Sequence, residues 1–230
     1  MVSLSVVLSS VADGSMLNRH NTHDEAVVQN RKKFLDSNNT PFDTTIRLNT
    51  DLLNRATIAN ETDYCKFVYV DESNAGDGMN GDSVIVADAI VTDKKNLPLM
   101  LPVADCVGAV LFDPTHEVLM LSHLGRHSLE QQGAIRSVEY LAQHHNTKPE
   151  DIQVWLTPAA GKDKYQIWAL DNQGMKEATL GQLTEAGILA ENIHDDPRHT
   201  TSDETLYSYS EFLKGNRKED GDHMIAAVMH

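Results

Sequence analysis

The sequence predicts an α/β fold, an α+β layered sandwich in which mixed β-sheets are flanked by helices. Three observations carry this. Short apolar or β-branched runs bounded by turn residues recur along all 230 residues. Three stretches at helical spacing interrupt them, which points to layers of both kinds packed on one another. No internal repeat or long linker separates them, so residues 1–230 read as a single domain.

Ser3–Ser9 predicts a first strand, closed by the turn Ala12-Asp13-Gly14-Ser15. Thr22-His23-Asp24-Glu25 has capping-box spacing, with Thr22 as N-cap and Glu25 reaching back, and opens a helix over about residues 23–36. Ser37 to Pro41 ends it. Ile46–Leu53 fits either a strand or the start of a short helix. Cys65–Asp71 is rich in aromatic and β-branched residues and predicts a strand. The Gly-, Asn- and Asp-rich Glu72–Asp82 predicts a loop, and Ser83–Thr92 a further strand.

The central stretch, Val86 to Ser128, is where the chain concentrates reactive groups. Leu97–Val103 leads into Ala104-Asp105-Cys106, Val107–Phe112 runs apolar to the turn at Asp113-Pro114, and Val118–Leu121 runs into Ser122-His123. Strands apolar on both faces are buried, so a thiol and an imidazole at their ends belong at the rim of a core. Ser128–His145 then predicts a helix with Gly133 as its weak point. Ile152–Leu156 predicts a strand, Thr157–Gly161 a tight loop and Tyr165–Leu170 another strand. Residues 175–186 predict a helix with Gly187 just past its end, and Met224–Met229 a last strand.

Composition excludes several classes. The formal net charge of −15 argues against a nucleic-acid partner, which needs a basic surface. No run of about 18 apolar residues offers a membrane span. The N-terminus lacks a basic region before its apolar residues and reads as a strand, not a signal peptide, so a cytoplasmic protein is expected. Two cysteines make no disulfide framework, and Cys65 and Cys106 are expected to stay reduced. Of eleven histidines, His20, His23, His144 and His145 lie in polar segments and are expected at the surface.

Cys106 with His123 supports two chemistries. Thiolate and imidazole are good zinc donors, and a catalytic zinc needs about three protein ligands; Asp71, Glu72, Asp77 and His127 are candidates for the third. The same pair can work as thiolate and base in a thiol hydrolase. The bland alternatives are a small buried hydrophobe for Cys106 and a satisfied core histidine for His123. Arg126 is a cation able to grip an anion with two hydrogen bonds, or else a surface arginine. Asp105 is expected to orient a neighbour or close a turn.

In order and spacing the chain resembles the bacterial laccase-domain proteins, a family named for multicopper polyphenol oxidation whose members are purine nucleoside phosphorylase-like enzymes. Asp24–Leu35 is similar to the family's early Asn-Arg helix. Ala87–Asp93 and Ala104-Asp105-Cys106 match its central strands, and His123-Leu124-Gly125 falls at its His-Ala-Gly-Trp-Arg-Gly segment. Thr157–Ile167 follows its Gly-Pro-Ala-Ile-Gly loop, and Leu206–Tyr209 its Phe-Phe-Ser-Tyr.

The resemblance implies a laccase-domain fold, similar to that of cysteine hydrolases, and a zinc ion held by two histidines and a cysteine. Carried over, Cys106 and His123 are metal ligands. The first histidine belongs to a Gln-Val-His-Gly motif that this sequence lacks; placed in the loop after Cys65–Asp71, its match is Asn74. The motif arginine after His123 becomes His127, with Arg126 one position earlier; the arginine after the final Ser-Tyr becomes Ser210, and a Cys-Thr pair becomes His199-Thr200. The implied catalytic set is Cys106, His123, Asp105 and Arg126, with Asn74, His127, Tyr207 and Tyr209 toward a nucleoside and phosphate. The implied reactions are phosphorolysis of adenosine, inosine or methylthioadenosine, and adenosine deamination. Copper oxidation fits poorly, since no His-x-His occurs. A non-catalytic nucleoside-binding or interaction protein is the alternative from another class.

Overall fold

The computed structural model describes residues 2–50 and 63–230. Two sheets stack face to face. The four-stranded sheet has the order β1-β10-β5-β2, from Leu4–Leu8, His223–Met229, Leu99–Val103 and Ile46–Arg47. The six-stranded sheet has the order β3-β4-β7-β6-β8-β9, from Phe67–Tyr69, Ala89–Thr92, Val118–Leu124, Val107–Asp113, Gln153–Leu156 and Ile193–Asp195. Both sheets are mixed.

Strand periodicity divides the core into three layers of side chains. Val110, Phe112, Leu119 and Leu121 face inward between the sheets, against Leu99, Leu101, Ile225 and Ala227. The alternate residues Val107, Ala109, Leu111 and Met120 face helices α2 to α4, Arg126–Glu130, Gly133–His145 and Met175–Glu185. On the far side, Met100, Met224 and Ala226 receive Phe34 and Leu35 of α1, Glu25–Ser37. The expected layered sandwich is therefore an α-β-β-α stack, closed near its C-terminus by the short α5, Tyr209–Leu213.

Several elements depart from the sequence reading. Asp24, not Thr22, caps α1 by accepting from the Ala26 and Val27 amides, while the Thr22 hydroxyl donates to Asp82. The 46–53 segment starts as the two-residue β2; its residues 51–53 lie outside the described residues. The helix expected over 128–145 is two helices, broken where Gln132 takes a left-handed conformation (φ 61°). Gly133 opens the second, and a side chain there would meet the Ser128 carbonyl at 2.8 Å. Its smallness lets the helices approach.

Tyr165–Leu170 is not a strand. Its first residues turn back on Gly161, and Trp168–Leu170 is a 3₁₀ turn. The strand that pairs with β8 is β9, which the sequence reading missed.

Candidate functional site

The site forms where the chain passes from one sheet to the other. β5 ends at Val103 in the four-stranded sheet and β6 begins at Val107 in the six-stranded sheet. Ala104-Asp105-Cys106 makes the crossing. Asp105 is left-handed, with φ 80°, a conformation in which Asp is several-fold enriched among non-glycine residues.

That strain is held by a dense set of bonds. The buried Asp105 carboxylate accepts from Thr200 Oγ1 (2.6 Å) and Ser208 Oγ (2.7 Å) on one oxygen, and from the Ser210 amide (2.6 Å) on the other. Its carbonyl accepts from the Ala160 amide at 2.9 Å. Three segments distant in sequence are thus tied to the residue preceding Cys106. Asp105 ties those segments to the strand crossing.

β6 and β7 pair antiparallel with Gly108 opposite His123, so the start of one strand meets the end of the other. Gly125 lies just beyond. A Cβ built on it would fall 2.7 Å from His123 Cε1, 3.3 Å from His123 Nε2 and 3.2 Å from Cys106 Sγ. Thiol and imidazole therefore converge on one point, and only a glycine leaves that point open. His123 is buried, its amide donating to the Asp88 carbonyl (2.8 Å) and its carbonyl accepting from Ser128 Oγ (3.1 Å).

The surroundings are acidic. The Arg126 amide at the start of α2 donates to the Cys106 sulfur, yet burial first, then the Asp105 and Asp222 carboxylates, push this thiol up to about 12. Tyr165, expected in a strand, instead lies close enough to Cys106 and Arg126 for them to act on its hydroxyl; burial raises its pKa first. Arg19 donates to Asp222 Oδ1 at 2.6 Å, pairs with Asp220, and stacks over the Tyr209 ring at 4.3 Å. Burial lifts Asp222 to about 7, partly opposed by Arg19, and burial lowers the neighbouring His223 to about 4. Arg19, Tyr165, Asp222 and His223 were not found from sequence. Nothing in their spacing marks them, because they reach the corner from three separate segments.

The other expected residues divide. The Arg126 side chain is exposed, 3.2 Å from His127 Nε2 and 4.0 Å from Glu130. His127 stacks on Tyr64 at 4.6 Å. Tyr207 is buried against Gly221 and lines a cleft of about 290 Å³ with Val11, Arg217 and Lys218. Tyr209 is half-buried beneath Arg19.

Asn74 is set apart from this group. Along β3 and β4, Phe67 aligns with Ala89 and so with Ser122, whereas Tyr69 aligns with Val91 and so with Met120. The chain leaving β3 therefore runs away from His123. Asn74 lies beyond the far end of the strand, its Oδ1 accepting from the Asp71 amide at 3.0 Å. Asp71, Glu72 and Asp77 share that far end. The segment entering β3 is the one beside His123, where the Lys66 amide donates to Asp88 Oδ2 (2.9 Å).

The donors here are right for zinc in kind and short in number. Cys106 and His123 converge, but among the described residues no three His, Cys, Asp or Glu side chains gather around one point. The sequence holds no histidine between His23 and His116 to supply the third. The described residues do not make the three-ligand centre that catalytic zinc requires. Among the described residues no helix is long and apolar enough to cross a membrane.

Comparison with known proteins agrees with this architecture. Residues 13–179 match the family model described as multi-copper polyphenol oxidoreductase laccase. A Corynebacterium glutamicum protein named as a purine nucleoside phosphorylase is 28% identical over 158 residues, 61% of this chain and 62% of that protein. A Xylella fastidiosa protein of the same name is 35% identical over 81 residues, 35% of this chain and 30% of its own length. The chain spans less than two thirds of each of these curated relatives. Among solved structures, the Bacillus licheniformis hypothetical protein YfiH superposes with a TM-score of 0.79 at 20% identity, covering 98% of this chain and 92% of its own. YlmD from Geobacillus stearothermophilus gives 0.77 at 20% identity, covering 99% and 91%.

Proposed function

This chain belongs to the multi-copper polyphenol oxidoreductase laccase family, and on that premise we propose that it is a purine nucleoside phosphorylase-like enzyme working at the Cys106–His123 corner. The observation that carries the reading is the convergence of Cys106 Sγ and His123 Nε2 on the open side of Gly125. The names of the relatives supply the substrate class.

In the proposed reaction an oxygen of hydrogen phosphate attacks C1′ of the nucleoside, the C1′–N9 bond breaks, and the base leaves with the proton that the phosphate gives up. The products are a free purine and a pentose 1-phosphate. Arg126 is the exposed cation suited to the phosphate, and Tyr209 presents an aromatic face to the base. Asp105 holds the corner rigid, which converts an encounter into an aligned pair of reactants. Adenosine, inosine and methylthioadenosine are the candidate substrates; adenosine deamination is a further candidate.

Zinc is the family-type metal proposed for Cys106 and His123, but with two donors no step here is routed through it. The lack of a third donor among the described residues favours one second reading, a nucleoside-binding member without turnover. The thiol-hydrolase alternative is disfavoured, because a thiol held near 12 is not a ready nucleophile at neutral pH. Two unpaired cysteines suit the proposed cytoplasmic location.

The test is product analysis by liquid chromatography after incubating the protein with inosine or adenosine, with and without inorganic phosphate. Free base together with pentose 1-phosphate, appearing only with phosphate, supports the reading. Nucleoside binding without turnover replaces it with the second reading, and neither binding nor turnover rejects both.

A further inference from the structure

Arg19 belongs to the segment leading into α1, far in sequence from every other group at the corner. Its guanidinium is engaged at one edge and on one face. One edge pairs with Asp220 and with Asp222 Oδ1 (2.6 Å), and one face covers the Tyr209 ring at 4.3 Å. The Asp222 backbone is held in turn. The Asp222 amide accepts no proton but donates one to Ser15 Oγ at 3.1 Å, and its carbonyl accepts from the Met16 amide at 2.8 Å. The segment 15–19 and the segment 220–222 are thereby strapped together, with Arg19 as the outer tie.

Tyr209 is fixed from below as well. It lies between Ser208, whose hydroxyl donates to Asp105, and Ser210, whose amide donates to the same carboxylate. The backbone of Tyr209 is thus anchored to the residue beside Cys106, while Arg19 lies over its ring. The ring is half-buried, so it keeps surface that a ligand can reach. The bonds from Ser208 and Ser210 to Asp105 put the Arg19–Tyr209 stack next to the corner, and Arg19 lowers the pKa of the Cys106 thiol against the effect of burial.

We propose that Arg19 is a positioning residue that sets the Tyr209 ring as the stacking platform for the purine base. This rests on the nucleoside reading above and names the part of the corner that takes the base. An arginine suits the task because its planar fork pairs with carboxylates at the edge while its face lies flat on an aromatic ring; a lysine keeps the charge and loses the flat face. Its edge being engaged by two carboxylates, Arg19 is not the phosphate cation, which leaves that role to Arg126. A stacking platform recognises planarity, so affinity should vary little between purine bases.

The experiment compares wild type, Arg19→Lys and Arg19→Met in equilibrium dialysis with inosine and adenosine, in steady-state phosphorolysis and in thermal unfolding. Arg19→Lys keeps an ionic partner for Asp222 and is expected to fold as wild type does. The expected result is a rise of roughly three- to thirtyfold in Kd and KM for both nucleosides, with kcat little changed and Arg19→Lys intermediate. Wild-type affinity and KM in a folded Arg19→Lys protein would overturn the positioning role alone. Absence of nucleoside binding by the wild type would instead remove the nucleoside reading, and the platform with it.

Discussion

Gly125→Ala isolates the corner from the rest of the fold. Gly125 has φ −85° and ψ 173°, extended backbone that alanine adopts without strain, so the substitution meets only sterics. The added methyl would stand 2.7 Å from His123 Cε1 and 3.2 Å from Cys106 Sγ, the first a separation that real Cβ contacts do not show. His123 is buried and strapped by Asp88 and Ser128, so the imidazole or the α2 start must shift by several tenths of an ångström. Overpacking of this kind costs about 1–3 kcal/mol, and the stiffer unfolded chain returns about 0.4–1 kcal/mol. The net of at most about 2.6 kcal/mol lowers Tm by no more than roughly 10 °C in a chain of this size. The loss of function should be far larger. A methyl between thiol and imidazole closes the reaction point, and misplacement on that scale costs about a hundredfold in kcat/KM. Paired calorimetry and nucleoside turnover measure both. A well-folded Gly125→Ala protein with wild-type turnover would refute the claim that chemistry occurs between Cys106 and His123.

Three further outcomes follow from the same geometry. Asp105→Asn keeps the acceptor for Thr200 and Ser208 but turns an amide donor toward the Ser210 N–H, which should cost about 1–3 kcal/mol in thermal unfolding; an unchanged Tm would contradict the hub. The buried His223, lowered to about 4 from 6.5, is neutral in the fold while the unfolded chain takes up a proton, so its contribution to stability declines as pH falls from 6.5 toward 4. Asp222, raised to about 7 from 3.8, acts in the opposite sense: the unfolded chain ionises first, and stability declines as pH rises from 3.8 toward 7. Asp222→Asn should therefore unmask a rise of up to about 2 kcal/mol between pH 4.5 and 6.5 in urea unfolding, and a slope identical to wild type would contradict it. Cys106 in metal-free protein should react with iodoacetamide at neutral pH roughly ten- to a hundredfold more slowly than free cysteine; faster labelling in peptide-resolved mass spectrometry would revive the thiol hydrolase.

Much of the frame was legible because burial writes itself into strand composition. β6 and β7 are apolar on both faces, since one side meets the helices and the other meets the second sheet, and that pattern placed Cys106 and His123 at a common rim. What failed were features set by neighbours. Ile167 is buried as a strand residue would be, yet the bridge it makes is a local one to Gln173, outside both sheets. Gln132 breaks a helix that its own propensity would continue, because Gly133 permits a close approach over Ser128. Asn74 was aligned to the wrong end of β3: the direction of a three-residue strand within its sheet is not contained in its sequence. Arg19 carries no local signal, since its partners are about two hundred residues away.

The most direct measurement of the central claim is phosphate-dependent hypoxanthine release from inosine by wild type and by Cys106→Ser, with zinc content determined on the same preparations. The account predicts release that requires phosphate and falls at least about a hundredfold in the serine protein. Equal release by the two proteins would contradict it, whatever their zinc content.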